Sequence, residues 1–146
     1  MDKPGQADAV GIRYGADDEY MGRLHVRARF EGFEGCAEAW IDRQEFSEFA
    51  ERLSEYPLSE PATFSTGMGG IEFIGLSVNP RGGKGQVTVL LHLASETWDN
   101  GKPVTVHEAT IEFPTSYEYL RRISGDLHGV LDGAWGEAML SPDVLI

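Results

Sequence analysis

"GCAEAWIDRQEFSEFAERL", residues Gly35 to Leu53, changes its period at Asp42. Before that aspartate small and apolar residues come at every second position, the period of a strand, with either Ala37, Ala39 and Ile41 or Cys36 and Trp40 turned inward. After it Phe46, Phe49, Ala50 and Leu53 recur at three and four, while Glu45, Glu48, Glu51, Arg52 and Glu55 fall on the opposite face of a helix. Asp42 can accept hydrogen bonds from the first helical amides, and Glu45 stands where it can reach back, a capping box with Asp in the usual Ser/Thr place. The Phe-rich stripe reads as core packing rather than a ligand box. Along the whole chain the segments run ββ(β)-α-ββββ-α with hairpin-length links between most strands, which favours an antiparallel sheet with both helices on one face, an α+β architecture.

The flanking segments extend the same reading. "VGIRYG" alternates Val10, Ile12 and Tyr14, and the acidic loop "ADDEYMG" follows. "RLHVRARFE" sets Leu24, Val26, Ala28 and Phe30 against His25, Arg27, Arg29 and Glu31, a half-buried strand, and "GFEG" supplies a reversal. Downstream, "YPLSEP" ends the helix because the residue before Pro57 is pushed out of the α region. "ATFST" (62–66) reads as a strand and "GMGG" as a turn. "IEFIGLSV" follows as a strand that changes face near Gly75, as a bulge would make it do. "NPRGGKG" forms a hairpin tip, "QVTVLLHLA" turns Val87, Val89, Leu91 and Leu93 to the core, and "SETWDNGKP" is a connection with Asn100-Gly101 as its turn. "VTVHEATIEF" is the next strand, with a register shift near Glu108.

Thr115 with Glu118, just after Pro114, repeats the capping-box spacing, and Leu120, Ile123, Leu127, Val130 and Leu131 form the second buried stripe. Gly125 weakens that helix by about 1 kcal/mol relative to Ala, and Gly133 stops it. The remainder is a tail that Trp135, Met139 and Leu140 pin to the body. The expected fold is a single α+β domain over 1–146, with 1–9 as a flexible tail. It has one antiparallel twisted sheet of about six to seven strands and two amphipathic helices, about 43–55 and 116–131, packed on one face.

The 146 residues can bury about two thirds of the unfolded surface without disulfides. Cys36 is the sole cysteine and reads as a buried structural thiol, and the N-terminus "MDKPGQADAV" lacks an export leader, so a cytoplasmic location is expected. No run approaches the roughly 20 apolar residues of a membrane helix. Twenty-four acidic against twelve basic residues give a net charge of −12, which disfavours nucleic acid and favours a cationic protein partner.

Catalytic patterns are not recognisable. His25, His92, His107 and His128 are in no compact metal spacing, although His92 and His107 are expected opposite each other on the last hairpin. There is no GxSxG elbow or Walker spacing, and Glu72, Glu108 and Glu112 sit on strands, where solvated edges or cross-strand pairs account for them. No catalytic, metal or cofactor residue is assigned. Surface candidates for a partner remain: the loop acids Asp17, Asp18 and Glu19, and Trp98 with Glu96 and Asp99, where the indole either anchors a partner or folds back as a lid over the sheet.

"HVRARFEGFEGCAEAWID", "RQEFSEFAERL", "IEFIGLSV", "GQVTVLLHLA" and "EFPTSYEYLRRISGDLHGVL" together resemble the WapI-like immunity proteins and their uncharacterised actinobacterial relatives, over about 20 to 135. In that family an F-x-G hairpin leads into an Asp-capped helix, and a later strand runs into an amphipathic C-terminal helix. The resemblance implies a small cytoplasmic, non-enzymatic antitoxin without cofactors, a monomer or weak homodimer, that binds and occludes a cognate, basic toxin domain. Toxin contacts do not transfer residue by residue, and the segment before Gly22 lies outside the likeness. The alternative is a small-ligand-binding domain with Trp40 or Trp98 at the mouth of its pocket. A hydrolase or isomerase acting through carboxylates stands third.

Overall fold

The computed structural model describes residues 8–68, 70–81, 85–134 and 136–142. In chain order the elements are β1 (Ala9–Ala16), β2 (Met21–Phe30), β3 (Phe33–Asp42), α1 (Arg43–Arg52), β4 (Ala62–Met68), β5 (Ile71–Arg81), β6 (Gln86–Asp99), β7 (Lys102–Ser116), α2 (Tyr117–Leu131) and β8 (Ala138–Leu140). The class is α+β with antiparallel strands, as the sequence implies. Among the described residues the strands number eight and fall into two sheets of four, ordered β3-β2-β1-β8 and β4-β5-β6-β7, rather than into one sheet of six or seven. α1 interrupts the pairing: β3 and β4 become the edges of different sheets, and β3 instead lies across all four strands of the second sheet.

Gly35 marks that crossing. A Cβ there would stand 2.7 Å from the Ala109 Cβ and 3.4 Å from the Leu93 Cδ1, so the β3 backbone rests almost directly on β6 and β7. The reversal before it is made by Glu31 and Gly32, both with positive φ (50° and 87°), a two-residue hairpin turn. Gly35 is thus a packing residue inside β3 and not part of the turn expected over "GFEG".

Alternation fixes the buried faces. Gly22, Leu24, Val26 and Ala28 on β2, Ala37, Ala39 and Ile41 on β3, and Val87, Val89, Leu91 and Leu93 on β6 point inward. Both helices join the same apolar cluster, α1 against β3 and β4 and α2 against β1, β7 and β8. Phe46 meets Phe64 edge to face at 4.9 Å between centroids, and the buried Ser124 hydroxyl donates to the Ala50 carbonyl at 2.7 Å, joining the helices.

Asp42 caps α1 as expected, accepting from the Gln44 and Glu45 amides at 2.8 and 3.2 Å. At α2 the cap is Ser116, which accepts from the Tyr119 amide, and not Thr115. β7 stays extended through Ser116, paired with Gln86, so alternation turns Thr115 into the core, where its hydroxyl donates to the Ser141 carbonyl. After Gly133 (φ 79°) the chain adds the short β8 alongside β1, where a tail was expected; Leu140 is buried and Met139 exposed. Trp135 lies outside the described residues, as do 82–84 of the expected hairpin tip and 1–7 of the expected tail. Ala9 already opens β1, and Asp8 accepts from the Glu31 amide. Among the described residues no helix is long and apolar enough to cross a membrane.

Candidate functional site

Two register shifts shape one end of the second sheet. Thr66 pairs with Ile74 and Gly67 with Glu72, so Phe73 is an extra residue on β5. Ser95 pairs with His107 and Glu96 with Thr105, which leaves Val106 extra on β7. Bulges of this kind bend a strand and re-aim its side chains. The first falls at Phe73, two residues before the Gly75 expected to hold it; at Gly67 an added Cβ would collide with the Ile71 carbonyl, so only glycine fits the bulge. Gly75 instead leaves room for the Glu72 carboxylate to lie over β5.

Between this end and β3 runs a groove of about 260 Å³, lined chiefly by Arg23, Trp40, Met68, Phe73, Glu96 and Trp98. Its apolar walls are unusually bare: Trp40 is 49% exposed, Met68 54% and Trp98 55%. The Thr66 hydroxyl donates to the Trp40 carbonyl at 3.2 Å, which ties the β3 and β4 edges together beneath it. The Arg23 guanidinium carbon lies 4.9 Å from the centre of the Trp40 ring, and Arg23 and His25 pair with Glu38 at 3.5 and 3.1 Å. Glu96 has one carboxylate oxygen, Oε2, shut off from solvent without a donor among the described residues.

Of the residues singled out from sequence, Glu96 and Trp98 line this groove, and Asp99 follows at the turn made by Asn100 and Gly101. Trp98 is not in a loop: β6 continues through Asp99, so the indole belongs to a paired strand, and its exposure argues against a lid folded onto the sheet. Asp17, Asp18 and Glu19 do not line the groove. They form the β1–β2 tip beside it, since Met21 pairs with Asp42 two residues from the Arg23–Trp40 pair. Asp18 accepts from the Tyr20 and Met21 amides at 2.7 and 2.8 Å. Those bonds, Met21 first, hold its carboxyl below the ordinary aspartate range.

Other expectations change. His92 and His107 are not opposite each other, because His92 pairs with Thr110 and His107 with Ser95. His92 stands instead between two carboxylates, Nδ1 2.9 Å from Glu72 and Nε2 3.1 Å from Glu108, and Ser65 completes the chain by donating to Glu72. Cys36 is exposed, since Ala37, Ala39 and Ile41 take the inner face of β3. It borders a second groove, of about 390 Å³, with Arg13, His25, Arg27 and Glu137. Arg13, Arg23, Arg27 and Arg29 gather on the outer face of the first sheet, where Glu34, Glu38 and Glu137 answer Arg29, Arg23 and Arg27. That neighbourhood follows from β1–β2–β3 register and could be anticipated from the even spacing of Arg23, Arg27 and Arg29 on β2. Among the described residues no group of three or more His, Cys, Asp or Glu could hold a metal ion.

The family model described as immunity protein WapI-like family matches residues 7–133. No curated protein and no solved structure matches the chain.

Proposed function

We propose that this chain, which belongs to the immunity protein WapI-like family, protects its cell by binding a cognate toxin domain and occluding it, without catalysis of its own. The toxin partner is basic, in keeping with the net charge of −12, which would speed the encounter of oppositely charged surfaces. The complex forms in the cytoplasm, with this chain as a monomer or weak homodimer.

The contact face is the groove between the two sheets together with its acidic margin. One observation carries this: Trp40, Met68 and Trp98 are each about half bare in one place, beside Glu96. Aromatic residues of this kind are the usual energetic anchors of protein interfaces. Asp99 and the Asp17–Glu19 tip extend the anionic rim. At about 260 Å³ the groove is smaller than the roughly 300–1,000 Å³ of sites that enclose small molecules, and its tryptophans stay half exposed, which favours a protein partner over a small ligand.

The test is co-expression with the product of the adjacent gene as the candidate toxin. Growth should be restored and a stoichiometric complex recovered, formed more slowly as salt is raised. Continued toxicity with no complex would refute the proposal, and saturable binding of a metabolite in the groove would replace it.

A further inference from the structure

Glu96 lines the groove, and among the described residues its carboxylate is left without a donor for one of its oxygens. That oxygen, Oε2, is removed from water. A partly buried carboxylate is costly until a countercharge reaches it. Two residues along the same strand, Trp98 offers a half-bare indole, and Met68, on β4 of the same sheet, also lines the groove. The cation already lining the groove, Arg23, is engaged elsewhere, stacked over Trp40 and paired with Glu38.

We propose that the groove receives one arginine side chain of the toxin, its guanidinium on the Glu96 carboxylate and its aliphatic stem along Trp98 and Met68. The identity of the partner rests on the immunity reading, whereas the chemistry of the groove rests on the geometry above. An apolar occupant would leave the Glu96 carboxylate without a countercharge, and an anionic one would face Glu38 and Glu96 together. Lysine fits less well than arginine. A guanidinium is planar, weakly hydrated and able to lie on an indole while its edge donates in-plane, but an ammonium is a compact, strongly hydrated point charge. The Arg23–Trp40–Glu38 arrangement on the neighbouring wall is the same combination made within the chain.

The experiment has two arms. In the first, the indole N–H signals of the ¹⁵N-labelled protein are followed while N-acetyl-arginine methylamide, or its lysine counterpart, is added. The Trp98 signal should shift saturably with the arginine probe, about tenfold more weakly with the lysine probe, and not at all in Glu96→Gln, whose other signals stay in place. In the second, the affinity of the toxin domain is measured for wild type, Glu96→Gln and Trp98→Ala. Each variant should lose about thirty-fold or more, as removal of one partner of a desolvated charge pair or of an interface anchor does. The inference is overturned if the arginine probe leaves Trp98 unmoved, or if Glu96→Gln binds a tightly held toxin as well as wild type does. A Glu96-dependent response to the probe without any toxin binding would support the groove's chemistry and remove the immunity reading.

Discussion

Replacing Gly35 with alanine tests the crossing of β3 over the second sheet. The new methyl would sit 2.7 Å from the Ala109 Cβ and 3.4 Å from the Leu93 Cδ1. Carbon atoms rest at about 3.5–4.0 Å, so the sheets must part by on the order of 1 Å. Ala109 has no rotatable side chain to turn aside. Overpacking of this sort costs about 1–3 kcal/mol. Alanine also restricts the unfolded chain, which returns about 0.4–1 kcal/mol. The net loss is about 1–2 kcal/mol, or roughly 2–8 °C in Tm for a chain of this size. Differential scanning calorimetry and urea unfolding both read it. Adding Ala109→Gly in the same chain removes the opposing methyl, so the double variant should recover part of the loss and show a favourable coupling of about 0.5 kcal/mol or more. A Gly35→Ala protein as stable as wild type, or strict additivity in the cycle, would refute the close approach of the two sheets.

Asp42→Ala removes the acceptor for the Gln44 and Glu45 amides and should cost about 1 kcal/mol in urea unfolding, while Asp42→Asn keeps most of it. An unchanged midpoint for the alanine variant would show that α1 needs no cap. Tyr14 gives a prediction in alkali. Burial, the largest cause, raises its phenol above the ordinary tyrosine value, so the unfolded chain ionises first. Stability should therefore fall as pH rises from about 10 through the higher folded value, and Tyr14→Phe should remove that part of the slope. Because the Tyr14 hydroxyl is buried without a partner among the described residues, the same variant should be at least as stable as wild type near pH 7. A less stable Phe variant with the slope intact would contradict both statements.

Periodicity made the local structure legible and left the assembly hidden. The stripe Phe46, Phe49, Ala50, Leu53, the stripe Leu120, Ile123, Leu127, Val130, Leu131 and the inner faces of β2 and β6 are all buried as their spacing implies, since alternation and 3.6-residue repeats report burial directly. The same patterns say nothing about which edges pair. β3 and β4 are joined only through α1, and no residue between them signals that one sheet ends and another begins. Turn chemistry misled at Trp98: Asn100 and Gly101 do make the turn, but the strands run right up to it, so polar residues taken for a loop are a ladder. Cys36 and Thr115 depart from the sequence expectation for a related reason. Each is one position off in an alternation whose phase is set by neighbours, Ala37, Ala39 and Ile41 in one case and Phe113 in the other. From sequence Trp40 or Trp98 stands out as a residue for the mouth of a pocket, with the inward or outward face of Trp40 left open. Their meeting in one groove depends on β3 crossing the second sheet and on two bulges that only tertiary pairing reveals.

Hydrogen–deuterium exchange of this protein with and without its toxin domain locates the interface directly. Protection on binding should concentrate at Glu38–Trp40, Thr66–Met68 and Glu96–Trp98, with a smaller effect at the 17–20 tip. Protection confined to the arginine face of the first sheet or to α2, with the groove strands unaffected, would contradict the account.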